Sequence, residues 1–254
     1  MDLIPVLDLM QGEVVRGQAG QRDRYLPNVS QLVSGSDPLQ TCLALKEAFH
    51  PQWFYLADLD AIRQGSEPAP GLQVLSECGV PLAVDAGVNS PERAKTLLEL
   101  GVSKVIVGLE SLQQLEQLSP IVSAIGADRL IFSLDLRQGL PVGPAAAHLH
   151  PAKILADVVE QGIRHVIVLE FSHIGTSRGV PTVNFCHSIK DRRPDLIVWT
   201  GGGVRHLADL HRLQLARVDG AMVATALHDG LITPADWQSY ETMEVDETLL
   251  AMDA

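Results

Sequence analysis

Two aspartates, Asp8 and Asp135, hold the same place in a repeated string. Leu-Asp-Leu-x-Gln-Gly occurs at Leu7–Gly12 and again at Leu134–Gly139, and the two acids are 127 residues apart, half of the 254-residue chain. Each copy closes a short apolar run, Leu3–Leu7 or Leu130–Leu134, that reads as a buried strand. One carboxylate per half is thereby placed where a strand gives way to a loop. Two opposed carboxylates can work as general base and general acid. A lone Asp at such a point is as often an Asx-turn residue binding backbone N–H groups. The paired placement favours catalysis.

The second constellation is Thr200-Gly-Gly-Gly-Val-Arg205. Glycines after an apolar strand let the backbone approach a ligand and aim N–H groups at an anion. The alternative is a turn that needs positive φ. The next unit offers Ala224-Thr225-Ala226 before a helix, so Gly202, Gly203, Ala224 and Thr225 are expected to share one phosphate, with Arg205 beside it. Arg16, Arg22 and Arg24 lie in or near the long first loop and suit either an anionic ligand or a solvated segment. Glu110 serves the same region or merely begins a helix, and His173 meets substrate or stays on the surface. His148 and His150 form a His-x-His pair with no third ligand at convincing spacing, so no metal site is expected.

These residues need a scaffold that brings strand ends together. Short β-branched runs alternate with helix-length stretches at Leu3–Leu7, Trp53–Ala57, Leu82–Val84, Lys104–Val107, Leu130–Leu134, His165–Leu169, Leu196–Thr200 and Gly220–Val223. Between them lie amphipathic segments such as Pro91–Leu100, which Ser90 would cap, and Pro151–Gln161. Strands apolar on both faces are those of a parallel sheet covered by helices. Eight such units predict an α/β (β/α)8 TIM barrel as one domain over 1–254, with an open doubly wound sheet as the alternative. Residues 81–88 match 197–204, and 105–108 match 221–224, both at an offset of 116; Asp58 matches Glu170 at 112. This self-similarity predicts two homologous half-barrels, about 1–127 and 128–233. The acidic stretch 234–254 reads as a final helix and fraying end, with Trp237, Tyr240 and Leu249 offering an oligomer contact.

Bulk properties narrow the partners. The formal charge of −12 and an aromatic content of 4% argue against nucleic acid. A small phosphorylated metabolite remains suitable, because a local cradle can outweigh the bulk field at close range. Cys42, Cys78 and Cys186 are an odd, scattered set, read as reduced thiols of a cytoplasmic protein. No apolar run approaches the ~20 residues of a membrane span, and the N-terminus runs straight into the first strand without a leader.

The chain resembles the paired histidine-biosynthesis barrels, the phosphoribosylformimino-AICAR-phosphate isomerase and the imidazole-glycerol-phosphate synthase cyclase. The resemblance covers Ile4 to Gly230. It rests on Ile-Pro-Val-Leu-Asp8-Leu, Val-Val-Arg16, Ala-Asp58-Leu-Asp60, Leu-Asp135-Leu, Gly175-Thr176 with Gly179, Gly202-Gly203-Val204, and Ala-Leu-His-Asp-Gly230. It implies two phosphate sites, one per half, and an Amadori-type aldose-to-ketose rearrangement without metal or organic cofactor. Asp8 would be the base that moves the C2 proton. The acid would be Asp135 or the strand-six carboxylate Glu170, and Thr176 would lie by the substrate. A monomer or homodimer is expected, without a glutaminase partner.

Two departures stand out. The family has Asp-x-Ser-x-Asp-Gly-Thr after strand six, whereas this chain has Glu170-Phe-Ser172-His173-Ile174-Gly175-Thr176. The first-half phosphate loop, Gly-Gly-Gly-Ile-Arg in the family, is Asp85-Ala86-Gly87-Val88-Asn89 here, although Gly108 in the following loop is kept. A carboxylate ~4 Å from a unit phosphate charge costs about 4 kcal/mol at an effective dielectric of 20. Asp85 therefore reads as meeting a hydroxyl or amine of a different substrate, or as capping the next helix. The alternatives to the isomerase are a paralogue recruited to tetrahydromethanopterin-type one-carbon cofactor synthesis, and a non-catalytic barrel that binds a phosphorylated metabolite.

Overall fold

The structure, a computed structural model, describes residues 1–242 apart from 70, 77, 146, 147 and 177. Eight parallel strands close on themselves: β1 (Asp2–Met10), β2 (Phe54–Asp58), β3 (Leu82–Asp85), β4 (Lys104–Gly108), β5 (Leu130–Arg137), β6 (His165–Glu170), β7 (Ile197–Gly201) and β8 (Gly220–Val223). Neighbours pair in sequence order, and β8 returns to β1 in the register Asp2↔Gly220 to Pro5↔Val223. The chain is therefore a TIM barrel rather than an open sheet.

Strand parity divides the core in two. Ile4, Tyr55, Ala83, Ile106, Ile131, Ile167, Trp199 and Met222 fill the barrel interior. Their neighbours Leu3, Leu7, Phe54, Leu56, Leu82, Val84, Phe132 and Val198 pack outward against the helices. Such two-faced burial is why these strands read as continuous apolar runs. Trp199 plugs the lower end, with His165 edge-on at 4.3 Å and Trp53 at 5.9 Å. Gly220 makes room for it, since a Cβ there would lie 2.5 Å from the Trp199 ring.

The outer helices start where their sequences say. Ser90 Oγ accepts the Arg93 N–H at the head of Pro91–Glu99. His150 Nδ1 accepts the Ala152 N–H at the head of Pro151–Glu160. The His-x-His pair thus contributes a helix cap. The last helix, Pro234–Thr242, buries Trp237 and Tyr240 against its own barrel, and Tyr240 Oη donates to the Leu210 carbonyl. Those two rings are thus covered within the chain itself. Leu249 and the tail acids Glu244, Asp246 and Glu247 fall outside the described residues. Cys42 and Cys78, far apart in sequence, bring their Sγ atoms to 3.2 Å in the core.

The repeated string turns out to encode a hairpin. β1 continues two residues past Asp8 and pairs antiparallel with Glu13–Arg16; β5 continues past Asp135 and pairs with Leu140–Pro141. The two-residue links, Gln11-Gly12 and Gln138-Gly139, have positive φ throughout (54° and 81°, 54° and 76°). This is the type I′ pattern that matches strand twist. Asp8 and Asp135 therefore sit within strands, not at their ends. Carboxylates from the next loops hold both turns. Asp60 Oδ2 accepts the Gln11 N–H, and Glu170 accepts those of Gln138 and Gly139. A left-handed non-glycine residue costs roughly 1–2 kcal/mol, least for Asn. Gln138→Asn is therefore expected to raise the urea unfolding free energy by about 0.5 kcal/mol; no gain would contradict the I′ assignment.

Candidate active site

A cavity opens at the C-terminal ends of the strands, where barrels of this architecture place their chemistry. Asp8 from β1, Tyr55 from β2, Asp85 from β3 and Asp135 from β5 line it, with Glu110 from the loop after β4. Interior parity selects the strand residues, because side chains two apart share a face. The first loop folds over the opening through Gly17, Gly20, Arg22 and Tyr25. It meets the loop after β6 across the mouth. The Ala19 N–H donates to the Ile174 carbonyl, and a Cβ on Gly175 would fall 1.8 Å from the Gly17 oxygen.

The acids have different surroundings. Nothing among the described residues donates a hydrogen bond to Asp8; burial raises its pKa to about 6 against the pull of Arg22. Asp135 Oδ1 accepts from Ser133 Oγ at 2.7 Å and Oδ2 from the Glu110 N–H at 3.2 Å. Burial, then the charges of Glu110 and Asp85, still push it well above the ordinary aspartate range. Asp85 is raised to about 7 by burial and by Glu110, partly offset by the Gly87 N–H. The three acids thus span ionised and protonated forms near neutral pH, the condition for splitting base and acid roles.

Gly108 explains how two of these carboxyls can be neighbours. A Cβ on it would lie 3.0 Å from Asp85 Oδ2 and 3.2 Å from Asp135 Oδ2. Its φ of −76° is open to any residue, so the glycine is required by the carboxyls rather than by its backbone. The local cation is Arg22, ion-paired with Glu110, its guanidinium 5.9 Å from the centre of the Phe171 ring. Burial opposes the Arg22 charge, but Glu110 and Asp85 outweigh it and strengthen its hold on the proton.

The opposite side of the cavity is lined by Gly202, Gly203, Val204, Ala224 and Thr225. Gly202 and Gly203 have φ of 80° and 106°, and a Cβ on Gly203 would strike the Gly179 carbonyl at 2.3 Å. The positive-φ turn reading of this run therefore describes it. Gly202, Gly203 and Val204 form no backbone hydrogen bond through their N–H groups among the described residues. These groups are free for an anion.

Several expected site residues lie elsewhere. Glu170 does not line the cavity. It binds the Gln138, Gly139 and Ser172 N–H groups and Ser172 Oγ. Burial alone would raise it, but these bonds hold it below the ordinary glutamate range. Arg205 is engaged with Asp209 at 2.7 and 2.9 Å, outside the barrel mouth. Arg16 pairs with Asp229 at 2.7 Å, and Thr176 Oγ1 donates to the His173 carbonyl. Gly87 packs on the backbone of Ala61 and Ile62, and His173 Nδ1 lies 3.0 Å from the Gly179 carbonyl. Among the described residues no three His, Cys, Asp or Glu side chains form a metal-holding group, and no helix is long and apolar enough to cross a membrane.

Tyr25, Tyr55, Arg137 and Ile174 were not anticipated, yet all four line the cavity. Parity was the available signal for two of them. Tyr55 shares the interior face with Ala57, and Arg137 follows Asp135 by two residues.

The fold and site define a (β/α)8 barrel with acids facing a glycine-rich loop across one cavity. A family model described as histidine biosynthesis protein matches residues 2–233, and the chain belongs to that family. Relatives include the 1-(5-phosphoribosyl)-5-((5-phosphoribosylamino)methylideneamino)imidazole-4-carboxamide isomerase of Thermus thermophilus, 31% identical over 94% of this chain and 100% of its own. The isomerases of the same name from Desulforudis audaxviator and Pectobacterium atrosepticum are 29% and 28% identical, over 97% and 93% of this chain and 93% and 99% of theirs.

An aspartate whose folded pKa lies above its unfolded value binds its proton more tightly when folded. Its contribution to stability is full at low pH and is lost as pH rises through the folded value, about 7 for Asp85. Asp85→Asn keeps an acceptor for the Gly87 N–H and removes the titration. It is expected to stabilise the fold by roughly 1–3 kcal/mol at pH 8, with the gain vanishing near pH 4. Urea unfolding at the two pH values measures this, and a variant less stable than the parent at pH 8 would contradict it.

Proposed function

We propose that this chain is an aldose–ketose isomerase acting by acid–base chemistry on a phosphoribosyl amine or a related sugar-phosphate amine. One observation carries the reading: Asp8 and Asp135 face one cavity from β1 and β5, in surroundings that separate their proton affinities. Asp8, lower and without a hydrogen-bond donor, is the base. Asp135, pushed well above the ordinary aspartate range by burial and by the charges of Glu110 and Asp85, is the acid. The acid protonates the ring oxygen as its bond to C1 breaks, which leaves a C1=N imine. The base then removes the C2 proton, and the electron pair forms C1=C2 while the C=N pair moves to nitrogen. A proton then adds to C1 as the C2 hydroxyl loses its own and C2=O forms, which gives the ketose. Proton transfers alone balance the sequence, so the chemistry calls for no redox partner.

The loop at Gly202–Val204 with Ala224 and Thr225 would hold the phosphate of the reacting sugar. In this reading Glu170 is a positioning residue that fixes the hairpin beside Asp135. The shared hairpin geometry supports descent of 1–127 and 128–233 from one duplicated unit. A cytoplasmic monomer or homodimer belongs to the same reading.

General acid–base groups contribute about 10²–10⁴-fold. Asp8→Asn and Asp135→Asn are each expected to lower kcat by about 10³-fold or more with an unchanged circular dichroism spectrum. Glu170→Gln should lower it far less. Full turnover in either aspartate variant would end the assignment.

A further inference from the structure

The two halves of the barrel mouth differ in charge where the repeat aligns them. At the offset of 116, Gly201–Arg205 corresponds to Asp85–Asn89, and Ala224–Ala226 to Gly108–Glu110. The second-half loops bring no acid to the cavity. Each first-half loop brings one, Asp85 or Glu110.

Geometry closes the first-half loop to an anion. Its Gly87 N–H, the counterpart of a free N–H at Gly203, donates to Asp85 Oδ1 at 3.0 Å. The side chain of Asp85 thus occupies the position an incoming phosphate oxygen would take. Arg93, the nearest guanidinium of that loop, is tied to the carbonyls of Ala86, Gly65 and Ser66 at 2.7, 3.0 and 3.0 Å. The carboxyls of Asp85, Asp135 and Glu110 share the cavity with Arg22, already paired with Glu110, and with Arg137. Buried charges normally have partners, and among the described residues Asp85 has a single backbone donor and no ion pair. A phosphate dianion would repel that carboxyl, whereas an ammonium or amidinium would supply the missing charge and N–H donors.

We propose that the substrate carries phosphate at one end only, seated at Gly202–Val204 and Thr225, and presents a protonated amine or amidine to Asp85 and Glu110 at the other. This rests on the isomerase reading for the phosphate end and narrows its substrate class. The bis-phosphorylated compound named in the relatives would then be a poor ligand, and Asp85 and Glu110 are the residues that reject it.

The test compares two chain-matched probes by calorimetric titration: an α,ω-alkyl bisphosphate long enough to span the mouth, and the ω-aminoalkyl monophosphate. The intact protein should bind the amino probe at least about tenfold more tightly. Asp85→Asn/Glu110→Gln, which keeps both shapes and removes both charges, should lose that preference by about the same factor; Asp85→Asn alone serves if the double variant unfolds. Equal or tighter binding of the bisphosphate by the intact protein would overturn the proposal while leaving the isomerase reading in place. Failure of both probes to bind, or binding that inorganic phosphate does not displace, would remove the phosphate end on which both readings stand.

Discussion

Three aspartates inside a barrel with too few cations set the character of this protein. A carboxylate taken out of water favours its neutral form unless charges or donors compensate. Asp8, Asp85 and Asp135 are compensated to different degrees, by the more distant Arg22, by one backbone N–H, and by Ser133 with the Glu110 N–H. The proton is therefore distributed by environment rather than by residue type. The rest of the mouth supports that distribution. Gly108 admits two carboxyls at close range, and the first loop seals them against the loop after β6.

Holding such a group costs stability, and the scaffold contains matching supports. Trp199 and its neighbours fill the lower barrel, and the terminal helix docks Trp237 and Tyr240 on the outside. Both hairpins that extend β1 and β5 are tied down by carboxylates that stay ionised through hydrogen bonding or serve as acceptors at the surface. Acids in this chain thus do two kinds of work. Those hydrogen-bonded to several N–H groups, such as Glu170, shape loops; those with few donors, such as Asp8, face the cavity.

Much of this was legible in the sequence, because the physics was local. Apolar runs on a parallel sheet announced all eight barrel strands, and Ser90 before Pro91 announced a helix start. Asp8 and Asp135 were visible as a pair because the repeat marked them. What the sequence hid was direction. Arg205 follows a glycine run and looks like a phosphate ligand, but a carboxylate four residues on, Asp209 in the first turn of the next helix, captures it. Glu170 looks like the strand-six acid, but its extra methylene lets it reach the Gln138-Gly139 turn. Arg22 and Glu110 were ambiguous until a long-range ion pair joined them over the mouth. The Gln-Gly of the repeat is a turn signal that two conspicuous aspartates overshadowed.

The chain is thus a histidine-biosynthesis barrel with acids from β1 and β5 facing one cavity, a glycine-rich loop on its other side, and carboxyls where the repeat places that loop's counterpart. That combination is coherent only if the acids really differ in proton affinity. Carbon-13 NMR titration of the aspartate carboxyls, assigned through single Asp→Asn variants, measures this directly. The account predicts that Asp8 titrates near pH 6 and that Asp135 titrates well above the ordinary aspartate range. Both carboxyls titrating near the ordinary aspartate value of about 4, or Asp135 ionising before Asp8, would contradict it.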